Sequence, residues 1–106
     1  MADRNLPFVQ AINEAMHQAM EDDPNVILLG EDVAGGTGYV DEAWGGVMGA
    51  TRGLRARFGA DRVIDTPISE AGFVGAVVGA VATGLRPIVE LMFCDFIGCC
   101  FDPFLN

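Results

Sequence analysis

Basic side chains are scarce in this sequence. Six Lys and Arg residues stand against fifteen acids, with a single histidine, giving a formal charge of -9 over 106 residues. A surface that grips a nucleic-acid backbone needs clustered cations, so a nucleic-acid partner is not expected. Cysteine is sparse too. Cys94, Cys99 and Cys100 are odd in number, two are adjacent, all lie in an apolar stretch, and no CxxC pair exists. That pattern is not a secreted disulfide framework. With His17 the only histidine, a structural zinc site has no ligand set. The expectation is buried thiols in a reducing compartment and a cytoplasmic protein. The opening MADRNLPF lacks the apolar core of a signal peptide. The uncharged run from Ala71 to Leu85 covers fifteen residues, short of the roughly 20 that a spanning helix needs. No membrane segment is expected.

What is present is apolar. Hydrophobic residues make up 51% and charged residues only 20%, with a mean hydropathy of +0.35, which argues against disorder. A chain this short buries only about 60–65% of its unfolded surface, so this much apolar sequence calls for further protein to lie against. Leu6 to Asp22 reads as an amphipathic helix: Phe8, Ile12, Ala15, Met16 and Ala19 recur at helical spacing. Asn5 or Asp3 is placed to cap it, Pro7 suits its first turn, and Asp23-Pro24 stops it. Val26 to Leu29, closed by Gly30, reads as a strand buried on both faces.

Ala34 to Gly49, with six of the fourteen glycines plus Tyr39 and Trp44, reads as a long irregular loop whose aromatics pack somewhere. A short surface helix over 50–58, a strand over 62–65, an apolar helix from Ser69 to Thr83, a strand from Arg86 to Phe93 and a helix from Phe96 onward complete the pass. The alternation predicts an α/β fold with a parallel sheet and helices on both faces, joined by right-handed crossovers.

Gly72, Gly75 and Gly79 give GxxGxxxG, which is neither a dinucleotide fingerprint nor a P-loop. Gly75, Gly79 and Ala82 share a helix face and predict close packing inside a core or a subunit interface. The carboxylates are better placed for chemistry. Glu31 and Asp32 follow the first strand at its carboxyl end, where open parallel sheets hold ligands. Asp65 ends the second strand, Glu70 opens the following helix, and Glu90 lies inside the third strand. By position alone Glu70 is a residue that complements a helix dipole. Its neighbours Ile68, Ala71, Phe73 and Val74 predict burial, and a buried carboxylate tends to share a proton. Composition and spacing leave both readings open.

The ordered set LGEDV (29–33), GL…FG (53–59), RVIDTPISE (62–70), GLRPI…E (84–90) and FCDF (93–96) resembles the beta subunit of the thiamine-diphosphate-dependent dehydrogenase component of 2-oxo acid dehydrogenase complexes. The glycine-rich insertion from Ala34 to Val47, together with DFIGCC (95–100), is most similar to the acetoin-dehydrogenase branch, with pyruvate and branched-chain enzymes as the alternative. The resemblance implies the N-terminal part of a transketolase-like pyrimidine-binding domain, with residues 1–106 a truncated portion of it.

It also implies roles. Glu70 meets the aminopyrimidine of thiamine diphosphate and shares a proton with the ring nitrogen, which activates the thiazolium carbon. Phe96 stacks against the pyrimidine, Ile68 and Met92 line its slot, and Glu31 lies near the reacting carbon. The diphosphate and magnesium belong on a partner alpha subunit, in a heterotetramer that serves a lipoyl acyltransferase core and acts on a small-molecule substrate. No metal ligands are expected in this chain.

Departures accompany the resemblance. The family's catalytic histidine lies downstream, and His17 on the first helix is no substitute. The family's Asp-Gln helix appears here as Asp102-Pro103, and a proline inside a helix costs about 3 kcal/mol. A reading of another class therefore stands beside the enzyme subunit: a non-catalytic fragment that keeps the fold and an assembly surface.

Overall fold

The computed structural model describes residues 4–35 and 45–106. Helix α1 (Phe8–Asp22) leads into strand β1 (Val26–Gly30). Helix α2 (Leu54–Phe58), strand β2 (Val63–Asp65), helix α3 (Glu70–Ala82) and strand β3 (Arg86–Glu90) come next. A 3-10 helix (Cys94–Cys100) and helix α4 (Phe101–Leu105) close the order. The strands form one parallel sheet in the order β2-β1-β3, with Gly30 in register with Asp65 on one side and Glu90 on the other.

The continuous apolar run of β1 is what a central parallel strand requires, because helices cover both faces. On one face Val26, Leu28 and Val63 pack with Met16 and Met20 of α1 and Leu54 of α2. On the other, Val89 and Leu91 pack against Phe73 and Val74 of α3 and Cys100. The α/β architecture expected from the alternation is the one observed. No helix among the described residues is long and apolar enough to cross a membrane.

Arg62 holds one end of this sheet together. Its guanidinium donates to the carbonyls of Met20 and Asp23, which end α1, and to Val26 of β1, at 2.8–3.0 Å. Helix C-termini leave carbonyls without intrahelical partners, and a forked cation satisfies several at once. Arg62→Ala is therefore expected to lower stability by about 3 kcal/mol. Arg62→Lys should recover less than half of that loss, as read by urea unfolding.

Several expectations are corrected. Asn5 does not cap α1, and Asp3 lies outside the described residues: Pro7 occupies the N-cap without a side-chain hydrogen bond, and its carbonyl accepts from Gln10 and Ala11. The apolar face of α1 is buried only in its second half, at Met16 and Met20, while Phe8 is 83% exposed and Ile12 and Ala15 are exposed. Gly75 and Gly79 meet nothing within 4 Å where a Cβ would stand, so the expected close packing does not occur within the described chain. The outer face of α3 is open, with Val78 and Val81 both exposed.

β3 ends at Glu90 rather than Phe93, because Met92 turns the chain at φ +53°. The thiols are not all buried. Adjacent helical residues face different ways, and only Cys100 turns inward, while Cys94 and Cys99 are exposed. Pro103 is the third residue of α4, where the missing N–H has no intrahelical role, so the expected penalty does not arise. Tyr39, Trp44 and most of the 34–49 loop lie outside the described residues.

Candidate active site

The carboxyl ends of the three strands converge on one edge of the sheet. β1 ends at Gly30 and the chain turns at once through Glu31 and Asp32, the latter at φ +58°. β2 ends at Asp65, whose Oδ1 accepts the Ala34 N–H at 2.7 Å, and the Thr66 N–H returns to the Gly30 carbonyl at 2.9 Å. These two bonds lock the turn after β1 to the exit of β2. Thr51, almost fully buried, donates from Oγ1 to the Val33 carbonyl at 2.7 Å and pins the same turn from the other side. Asn13 donates to the carbonyls of Ala50 and Arg52, and His17 Nε2 also pairs with the Arg52 carbonyl. The polar face of α1 thus serves to hold the segment after residue 45.

From Thr66 the chain runs through Pro67, Ile68 and Ser69 into α3. Ser69 does not cap that helix with its side chain: Oγ donates to the Pro67 carbonyl at 3.1 Å, while the Ser69 carbonyl accepts from Gly72 and Phe73. Glu70 is the first residue of α3 and is half-buried. The deep burial expected for it is only partly realised. Phe73 and Val74 are buried below, but Ile68 is 78% exposed and Ala71 is exposed. The helix has its inward face toward the sheet, and residues 68 and 71 fall on its outer side.

The structure brings Glu31 and Glu70 into electrostatic reach. Removal from water raises the Glu31 carboxyl above its ordinary value, and the charges of Asp32 and Glu70 raise it further. The start of α3 is also close to the 3-10 helix. Burial raises the Cys100 thiol, with added contributions from Cys99 and Glu70. The Cys100 thiol in turn donates to the carbonyls of Phe96 and Ile97. Phe96, half-buried, meets Phe93 edge to face at 5.7 Å between centroids. Glu31, Glu70, Cys100 and the turn carrying Phe96 therefore occupy one region. Ile68, two residues before α3, is exposed. Met92 lines a cleft of about 340 Å³ that runs from Ile12, Met16 and Glu90 to Cys94 and Ile97 of the 3-10 helix.

Glu90 was not singled out by the sequence pattern as a site residue, because a carboxylate inside a predicted strand carries no role by position. The structure places it at the last position of β3, opposite Gly30. Burial raises its carboxyl, the Met92 N–H pulls the other way, and Glu31 adds to the rise. The signal available beforehand was that GLRPIVE ends on an acid where a strand leaves the sheet.

These shifts carry a sign. A carboxyl whose folded value is raised binds its proton more tightly folded than unfolded, so its contribution to stability falls as pH climbs from 4.5 through the raised value. Asp23 does the opposite: the Asn25 N–H and then Arg86 lower its carboxyl, and the stability it contributes is lost as pH falls. Glu31→Gln is therefore expected to raise the melting temperature more at pH 7 than at pH 5. Equal shifts at both pH values would contradict the assignment.

The region is the kind of place where open parallel sheets bind small ligands. A carboxylate at a helix start, a second carboxyl nearby with a raised affinity for its proton, and an aromatic ring on the next helix can together hold and polarise a flat, protonatable ring. The family model described as "Transketolase, pyrimidine binding domain" matches residues 4–106. The chain is 60% identical to the "Acetoin:2,6-dichlorophenolindophenol oxidoreductase subunit beta" of Bacillus subtilis, over 97% of its own length and 31% of that protein's. It is 57% identical to the protein of the same description from Cupriavidus necator, again over 97% and 31%. Against the "Pyruvate dehydrogenase E1 component subunit beta" of Leifsonia xyli the identity is 44%, over 93% of the chain and 27% of that protein. The chain thus spans less than a third of the length of these relatives.

Proposed function

The chain belongs to the transketolase pyrimidine-binding domain family, and on that premise we propose that it forms the pyrimidine side of a thiamine-diphosphate site in the beta subunit of an acetoin-cleaving dehydrogenase. The observation that carries this reading is the placement of Glu70 at the start of α3, within the field of Glu31 and beside the 3-10 helix that bears Phe96. Identity that falls from 60% and 57% for the two acetoin proteins to 44% for the pyruvate protein supports the substrate.

The residues present fit the cofactor's ring. Phe73, Val74 and Cys100 form a buried apolar cluster with the sheet, Glu70 is half-buried at the first position of α3, and the Phe93–Phe96 pair stands at the start of the 3-10 helix. When bound, thiamine diphosphate supplies a carbon nucleophile and a sink for the electron pair released by carbon–carbon cleavage. Glu70 holds a proton at the ring nitrogen. Glu31, whose carboxyl keeps its proton to higher pH than an ordinary glutamate, donates toward a substrate oxygen. Phe96 stacks on the ring, and Ile68 and Met92 bound its slot.

An alpha subunit supplies the diphosphate and magnesium contacts. The two-carbon unit then passes to the lipoyl group of an acyltransferase core.

The test is a substrate comparison on the full-length subunit assembled with its alpha partner. The reading predicts a kcat/KM for acetoin at least about tenfold above that for pyruvate or a branched-chain 2-oxo acid, a difference of about 1.4 kcal/mol in transition-state binding. A preference in the other direction assigns the protein to the pyruvate or branched-chain branch. No turnover of either substrate with the cofactor bound would favour the non-catalytic reading.

A further inference from the structure

Among the described residues one buried side-chain oxygen has no hydrogen-bond partner, Thr66 Oγ1. Buried polar groups are paired in nearly all folded proteins, and an unpaired one is unfavourable. The backbone around this hydroxyl is fixed. The Thr66 N–H donates to the Gly30 carbonyl at 2.9 Å, which carries the parallel ladder one step past its last register pair, Gly30 opposite Asp65. Thr66 therefore comes alongside Glu31, which directly follows Gly30. Side chains alternate along a strand. Val63 belongs to the cluster on the α1 face, so Thr66, three residues on, looks to the face that α3 covers. Glu31 is half-buried and lies within the field of Glu70, the first residue of α3.

The hydroxyl is closed to water, so neither solvent nor a bound ligand reaches it directly, and its partner has to come from the chain. Ser69 Oγ donates to the Pro67 carbonyl, and Asp65 Oδ1 is taken by the Ala34 N–H. Glu31 remains, a flexible carboxyl on the neighbouring strand end, and rotation about its side-chain bonds is the smallest movement that supplies an acceptor. We propose that Thr66 is a positioning residue for Glu31: when the Glu31 side chain turns toward β2, the buried hydroxyl donates to its carboxyl and holds it facing the start of α3. With its carbonyl oxygen so held, the carboxyl keeps its O–H for the substrate. The proposal rests on the reading of Glu31 as the donor to a substrate oxygen. The titratable groups around Glu31 are Asp32 in its own turn, Asp65 ending β2, Glu70 opening α3 and Glu90 ending β3, with the Cys100 thiol beyond Glu70. Substitutions at Thr66 leave all of them in place, so a change in how Glu31 titrates reads the hydroxyl.

The experiment compares Thr66→Val, which matches threonine in shape, and Thr66→Ser, which keeps the hydroxyl, in the full-length subunit assembled with its alpha partner, each with and without Glu31→Ala. Two quantities are read: kcat for acetoin as a function of pH, and the melting temperature without cofactor or substrate at pH 5 and pH 8. Valine should lower kcat about tenfold, the size of one lost hydrogen bond. It should also move the basic limb of the profile up by about one pH unit, because losing a donor favours the protonated acid. Serine should stay within about twofold of the parent with the limb unmoved. Beside Glu31→Ala the valine factor should shrink to under about threefold. Without ligand, valine should leave the melting temperature undiminished at pH 5, where Glu31 keeps its proton longest. At pH 8, where the ionised carboxyl draws the donor, it should lower it by about 2 °C. Equal losses at both pH values would overturn the proposal by giving the hydroxyl a purely structural role. So would a serine variant as impaired as valine, a valine variant equal to the parent in both readouts, or an undiminished valine effect beside Glu31→Ala. Failure of Thr66→Val to assemble where serine assembles would do the same, since the hydroxyl would already be in use. If the parent turns over neither acetoin nor a 2-oxo acid, the functional reading falls by itself, and the melting temperatures still decide whether Thr66 holds Glu31.

Discussion

Glu70→Gln in the assembled two-chain enzyme is expected to lower turnover by about 10²–10⁴-fold, the range that a positioned proton-transfer group contributes. The amide matches the carboxylate in shape, and Glu70 is half-buried at the first position of α3 rather than inside a packed core. The helix and the apolar cluster of Phe73 and Val74 should therefore remain intact, and thiamine diphosphate should still bind. What the amide cannot do is hold a proton between itself and the ring nitrogen. Single-turnover kinetics with saturating cofactor measure the chemical step directly. A loss confined to cofactor affinity, with kcat preserved, would assign Glu70 a binding role instead.

Gly30→Val is expected to be the most damaging change to the fold around the site. Any Cβ at Gly30 would come within 2.7 Å of both the Glu90 carbonyl and the Val33 side chain. The neighbour that would have to move is main chain of the adjacent strand, which β1 holds in parallel register. Forcing the strands apart should cost about 3 kcal/mol or more and separate Glu31 from Glu90, so activity and stability fall together. Gly75→Ala is the control. Nothing lies within 4 Å of a Cβ there, and alanine in a helix interior is favoured over glycine by about 0.5–1 kcal/mol. Chemical denaturation of the two variants should therefore give changes of opposite sign.

The parts of the fold that were legible are those where burial and periodicity agree. Val26 to Gly30 is apolar on both faces because helices lie on both sides, and no other element accommodates such a run so briefly. The second half of α1 was legible for the same reason. Its first half was not: helical spacing marks which side is apolar but not how much of that side the rest of the chain covers, so Phe8 and Ile12 stand exposed. The end of β3 was misplaced because the turn depends on a backbone geometry that methionine rarely adopts. Cys94 and Cys99 were misjudged because hydropathy cannot tell which residues of a short helix turn outward.

The site divides along the same line. Glu31 and Glu70 were readable as carboxylates at the ends of strand and turn, where a parallel sheet puts its ligands. The role of Phe96 came from the resemblance, since an aromatic in an apolar stretch is otherwise only a core residue. Glu90 was hidden because what sets it apart is its burial at the last position of β3, opposite Gly30, and the burial of a single strand residue leaves no mark on sequence pattern.

The central claim is that this chain supplies the pyrimidine side of a thiamine-diphosphate site completed by a partner subunit. The measurement that tests it most directly is thermal unfolding of the full-length subunit, alone and with its alpha partner, across a thiamine diphosphate and magnesium titration. Ligand that binds only the assembled native state stabilises it by about 2.7 kcal/mol at a hundredfold excess over Kd. The account predicts a concentration-dependent rise in melting temperature for the assembled pair, little or none for the subunit alone, and a smaller rise when Glu70 is replaced by alanine. An assembled pair whose melting temperature does not respond to the cofactor would contradict it.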